Sequence, residues 1–165
     1  MKLREKLCAF LFEASKRPYR FLFKQKKEAW NLHSDDLINY PEGSLGMALG
    51  KFLKSNEFEL IDKLESHDVY HVVCGMNTTV RDEVGMQFLL MGNGKRSLYL
   101  YATVGICFVL LPEYLSYFRS CYRKGKHLHP IHKLNLRKIL NQPLEQIQSD
   151  LIQSSKSKQI NFLNY

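Results

Sequence analysis

EFELIDKLESHDVYHVVCGMNTTVRDEVGMQFLLM, residues 57–91, decides the fold class. Phe58, Ile61 and Leu64 recur at helical spacing, which predicts a helix from about Glu57 to Val73. Gly75 is a stop signal, and Asn77-Thr78 reads as a polar turn. Thr78 or Thr79 can then cap a further helix running to about Met91. Asp82 and Glu83 fall in its first turn, where the helix dipole favours negative charge. Two helices joined by a short polar turn are the repeating element of a helical bundle.

The same grammar extends in both directions. Upstream, Tyr40-Pro41-Glu42-Gly43 marks a turn, and Ser44 can cap a helix carrying Leu45, Leu49, Phe52 and Leu53. At the N-terminus, Leu3, Leu7, Phe10, Leu11 and Ala14 share one helical face, with Pro18 placed to end or bend the helix. Phe21, Leu22 and Phe23 follow among Arg20, Lys24, Lys26 and Lys27. Downstream, Gly92-Asn93-Gly94 breaks the chain before an apolar helix over 97–118, with Pro112 as a kink point. The uncharged run Ser97–Pro112 is sixteen residues, short of the roughly 17 that span a bilayer, and reads as a buried helix. A basic linker, Arg123 to Lys138, contains His127, His129 and His132. Pro143 opens a closing helix with Leu144, Ile147, Leu151 and Ile152 on its apolar face. No alternation is long enough for a strand and there is no internal repeat, so the expectation is all-α: a compact single-domain helical bundle over residues 1–165.

Charge divides the chain. Residues 1–30 carry nine Lys/Arg against three acidic residues, 31–118 six against eleven, and 119–165 nine against two. Basic ends favour anionic partners, and an acidic centre suits a cation. Residues 1–30 thus read as a basic amphipathic segment, either packed on the domain with a solvated side or lying apolar face down on an anionic membrane. No nucleic-acid-binding module is recognisable. Cys8, Cys74, Cys107 and Cys121 form no CxxC pair, which excludes a zinc ribbon and points to buried thiols in a reducing compartment. The run Leu7–Phe12 is too short for a signal peptide.

The chemistry concentrates between Glu65 and Glu83. His67 and His71 stand four residues apart, about 40° in direction on a helix, and Asp68 lies about 100° from His67. Glu83 comes twelve residues after His71, beyond the turn, where an antiparallel neighbour would return its carboxylate to the histidine pair. Two imidazoles and two carboxylates suit Zn, Fe, Mn or Co better than Ca or Mg, and zinc is the first expectation for one divalent ion. The set is not the HExxH protease motif, because Asp68 follows the first histidine. The competing cluster, His127, His129 and His132, lies among Arg123, Lys124, Lys126 and Lys133, which repel a cation.

His67-Asp68-Val69-Tyr70-His71, eleven residues and Glu83 resemble the H-D-x-x-H-x11-E signature of the coenzyme Q (ubiquinone) biosynthesis protein 4 family. Pro41-Glu42-Gly43-Ser44-Leu45-Gly46 is similar to that family's S-L-G segment, and Pro143-Leu144-Glu145-Gln146-Ile147 to its C-terminal P-L helix. The resemblance spans residues 31–152. It implies an all-helical fold, a metal held by His67, Asp68, His71 and Glu83, an apolar cavity for a prenyl chain, and peripheral membrane attachment. The implied chemistry is removal of the ring carboxylate of a prenylated hydroxybenzoate, coupled to hydroxylation at that carbon. The shortness of the chain points to a bacterial member, in the cytoplasm at the inner face of the membrane.

Two functions follow. As an enzyme, the protein uses the ion beside a prenylated aromatic acid, with Asp68 a ligand or proton carrier and Leu98, Leu100, Val104, Phe108 and Leu111 as apolar wall. As a non-catalytic scaffold, it presents a quinone precursor or another isoprenoid lipid to other enzymes. Either role is compatible with a homodimer or a larger biosynthetic complex.

Overall fold

The computed structural model describes residues 3–23 and 28–152. The all-α expectation is borne out: eight α-helices and two 3-10 turns, with no strand among the described residues beyond two isolated bridges. In order these are α1 (Leu3–Phe23), α2 (Ser34–Ile38), α3 (Leu45–Ser55), α4 (Glu65–Cys74), α5 (Val80–Gly92), α6 (Leu98–Leu110), a 3-10 turn (Pro112–Tyr114), α7 (Leu115–Lys126), a second 3-10 turn (Ile131–Lys133) and α8 (Leu144–Leu151). They group into two compact units, each made of two chain segments: Met1–Lys27 with Met76–His127, and Glu28–Gly75 with Leu128–Tyr165.

In the first unit, α5 and α7 meet backbone to backbone. A Cβ at Gly92 would stand 2.1 Å from the Tyr122 carbonyl oxygen, and one at Gly125 2.0 Å from that of Leu89. Only glycine permits this approach, and it buries α5 from Asp82 to Leu90 except for Glu83. The Phe88 and Phe118 rings stack beside this seam, 4.9 Å apart, and the Asn93 side chain donates to the Gly125 carbonyl at 3.2 Å.

Helix α1 continues past Pro18 rather than ending there. Its polar edge faces the unit: Arg4 pairs with Glu113 at 3.3 Å, Glu5 accepts from the Tyr114 hydroxyl, and Cys8 is buried. Its apolar stripe, Leu3, Leu7, Phe10 and Leu11, faces outward. Lys24, Lys26 and Lys27 lie outside the described residues. Pro112 is the kink point of 97–118 that the sequence predicts, but the reading of Ser97–Pro112 as a buried helix is corrected. The chain turns by 102° at Leu111-Pro112, because proline cannot donate to the helix ladder and disfavours helical backbone in the residue before it. Within α6, only Leu100 and Cys107 are buried. No single helix among the described residues is long and apolar enough to cross a membrane; α6 and Pro112–Lys126 pass on length and composition only as this bent pair.

In the second unit, Ser44 caps α3 as expected, accepting from the Met47 amide at 3.2 Å. Gly50 lets α3 lie against the Leu37-Ile38 backbone, 2.8 Å from a would-be Cβ to the Ile38 nitrogen. The turn before α3 is tied to the start of α8. Leu45 and Gly46 amides donate to the Gln142 and Leu140 carbonyls, and the Leu144 amide to Gly43.

The helix expected from about Glu57 begins only at Glu65. Helix α3 closes with the Glu57 amide on the Lys54 carbonyl and the Phe58 amide on Leu53, and Glu57 takes a left-handed φ of 56°. This closure forces the next seven residues into an irregular connection, with a second left-handed residue at Lys63, φ 68°. Phe58 and Ile61 are exposed, so their helical spacing has no packing counterpart.

Candidate metal centre

Helix α4 carries His67, Asp68 and His71, and Gly75 ends it as expected, at φ 63°. His71 is 2% exposed and stacks on Phe52 of α3, ring centroids 5.5 Å apart. His67 meets His71 edge to face at 4.9 Å, so the four-residue spacing does place both imidazoles together. Asp68 turns toward His67, with 3.4 Å from Oδ1 to Nδ1. A carboxylate on one ring nitrogen fixes the orientation of an imidazole and leaves the other nitrogen to act as a ligand. At the head of α4, Glu65 is buried and accepts the Trp30 amide at 2.9 Å. Near its other end, the Gln148 side chain donates to the Val73 carbonyl at 3.1 Å.

Thr79 caps α5, accepting the Asp82 amide at 3.2 Å. Glu83 follows in the same turn and is partly exposed. His67 and His71 of α4 and Glu83 of α5 make up a His/His/Glu donor set of the kind that can hold one divalent ion. Nitrogen, nitrogen and carboxylate oxygen fit zinc, iron, manganese or cobalt, and the donor set alone does not choose among them. Asp68 stands outside this group. Among the described residues His127, His129 and His132 form no such set.

Asp82 is the residue that sequence reasoning underrated. Its place in the first turn, where the helix dipole favours its charge, carries no sign of burial, yet it is 3% exposed. Oδ1 accepts the Tyr117 hydroxyl of α7 at 2.6 Å and stands 3.4 Å from Arg81 Nε, whose guanidinium lies 4.7 Å above the Tyr117 ring. Oδ2 is fully buried with no hydrogen-bond partner. Burial by itself would raise the Asp82 pKa; the Tyr117 hydroxyl, Thr79 and Arg81 outweigh it and hold the carboxyl below its ordinary value. Burial first, then the same contact, pushes the Tyr117 phenol up.

Of the expected lipid wall, Leu100 and Leu111 are buried, Val104 is half-buried, and Leu98 and Phe108 are 77% and 53% exposed.

No protein-family model matches the chain, and no curated protein does. Among solved structures it is similar to a crystal structure from Nostoc punctiforme PCC 73102, of a protein assigned on provisional grounds to ubiquinone biosynthesis. The TM-score is 0.61 at 19% identity, covering 91% of this chain and 81% of the other. At that identity the likeness is one of fold, shared over most of both chains.

Proposed function

We propose that the protein is a metal-dependent enzyme of isoprenoid quinone biosynthesis that acts on a prenylated hydroxybenzoate. The paired imidazoles of His67 and His71, with Glu83 at the spacing of the H-D-x-x-H-x11-E signature, carry this reading, and the fold shared with the Nostoc protein supports the pathway. When bound, a divalent ion supplies Lewis acidity at the ring carboxylate or its oxygens. The chain's own groups then have separate tasks. His71 is held against Phe52 as an immobile donor. Asp68 sets the orientation of His67 and is the carboxylate in position to hold or move a proton beside it. His71→Ala or His67→Ala should abolish stoichiometric zinc or cobalt binding, whereas His129→Ala should leave it intact. Full occupancy in the His71 variant would remove the assignment.

The exposed apolar helices favour a second reading, a scaffold that holds an isoprenoid lipid at the inner face of the bacterial membrane. Leu3, Leu7 and Phe10 lie beside Arg4 and Lys6, and Leu98, Phe108 and Val109 also face outward. Basic residues near an anionic surface contribute about 1 kcal/mol each, so vesicle binding should weaken with salt and with Leu7→Glu. Equal binding to neutral and anionic vesicles would exclude that contribution. The two readings separate in one assay: metal-loaded protein, a prenylated hydroxybenzoate, oxygen present or absent, and CO₂ release as readout. Stoichiometric lipid binding without CO₂ under every metal and oxygen condition selects the scaffold.

A further inference from the structure

Tyr117 touches the first turn of α5 on both sides of Glu83. Ahead of it, the hydroxyl holds Asp82. Behind it, the ring lies so close to the helix that a Cβ at Gly85 would stand 2.7 Å from Cε1. Thr79 fixes the start of the turn through the Asp82 amide, and Arg81 covers the outer face of the Tyr117 ring. Residues 79 to 85 are therefore clamped at four points by side chains that are not ligands.

A buried carboxylate with an unpartnered oxygen is costly, and packing alone does not require it: a neutral or apolar side chain of similar size could fill the space. A charge kept there beside Glu83 in sequence adds to the anionic field in which a cation would be held.

We propose that Asp82 and Tyr117 are the positioning pair of Glu83, the carboxylate that the metal reading assigns as a ligand. Tyr117 holds the Asp82 carboxylate and the turn that presents Glu83, and the Asp82 charge strengthens cation binding without contacting the ion. This inference rests on the metal reading above and adds the residues that set the affinity of that site.

The probe is Co(II) titrated into the full chain, followed by its visible absorption, with circular dichroism as the measure of fold. Asp82→Asn keeps a group that can accept from Tyr117 but removes the charge; Tyr117→Phe keeps the charge but removes its anchor. Residues behind metal ligands typically change affinity 10–100-fold. Asp82→Asn should therefore weaken Co(II) by about tenfold or more, and Tyr117→Phe by roughly threefold with a shifted Co(II) spectrum, helicity staying at the wild-type level. If both variants bind Co(II) with wild-type affinity and spectrum, and only their melting temperatures fall, the pair is structural and the proposal fails. Should Asp82→Asn not fold, Tyr117→Phe alone decides it by the same criteria. A wild-type chain that binds no Co(II) would overturn the metal reading and this inference with it, a result distinct from unchanged variants.

Discussion

Helices α5 and α6 are each thirteen residues long and belong to the same unit, yet their fates are opposite. Helix α5 carries Arg81, Asp82 and Glu83 and is buried at eight positions. Helix α6 has no charged residue and is buried at two. Hydropathy ranks them the wrong way round. What separates them is shape: α5 has Gly85 and Gly92 where α7 approaches, and α7 answers with Gly125. On α6, nothing lies within 4 Å of a Cβ built at Gly105. Burial here follows how closely a backbone can be approached, while the apolar side chains of α6 are left for something outside the unit.

The sharpest way to break the comparison is to make one substitution in both helices. Gly92→Ala puts a methyl 2.1 Å from a backbone carbonyl oxygen, which no rotamer change relieves. The expected loss is about 3 kcal/mol or more, the upper range for an overpacked core, seen as a lowered midpoint in urea. Gly105→Ala meets open space in a helix interior, so it should stabilise by roughly 0.5–1 kcal/mol. If both variants move the midpoint in the same direction, the glycine account of α5 burial is wrong. A charge tests the other side of the contrast. Val109→Glu on the exposed face of α6 should change stability by no more than about 0.5 kcal/mol. The same variant should reduce binding to anionic vesicles, and a large loss of stability instead would mean that α6 is packed in solution. The smallest effect concerns thiols. Burial first, then the neighbouring Cys8 thiol, pushes Cys107 up to about 12, so almost no thiolate exists at pH 8 and alkylation of folded protein should be negligible. Labelling of Cys107 while Cys121 stays protected would show that α6 opens independently of the α5–α7 seam.

Much of the architecture was legible because it depends on local chemistry. Ser44 and Thr79 cap their helices through their own hydroxyls, and Gly75 ends α4 in a conformation glycine adopts without strain. The histidine pair was legible for the same reason, since a four-residue spacing on a helix sets direction without help from tertiary structure. What escaped depends on partners far away in sequence. Asp82 is buried because Tyr117, thirty-five residues on, holds it. Glu65 is buried because the Trp30 amide, thirty-five residues back, donates to it. The start of α4 was misplaced because Glu57 adopts a left-handed turn normally given to glycine, and a glutamate announces no such turn. The exposure of α6 escaped because composition tells how apolar a helix is, not whether a neighbour has room to cover it.

The hydrogen bonds from Leu45 and Gly46 to Gln142 and Leu140 have a temporal consequence. Ninety-seven positions separate Leu45 from Gln142, and both belong to the same compact unit. On a ribosome adding about 5–20 residues per second, the amides that begin α3 wait roughly 5–20 s for their acceptors. During that interval the helix is held by its Ser44 cap and by α2, whose residues precede it in the chain. The first unit is split too, with α1 made long before α5, α6 and α7. Neither unit can therefore complete its fold as a contiguous stretch of nascent chain, and the exposed apolar stripe of α1 is synthesised before the helices α5, α6 and α7 of its own unit.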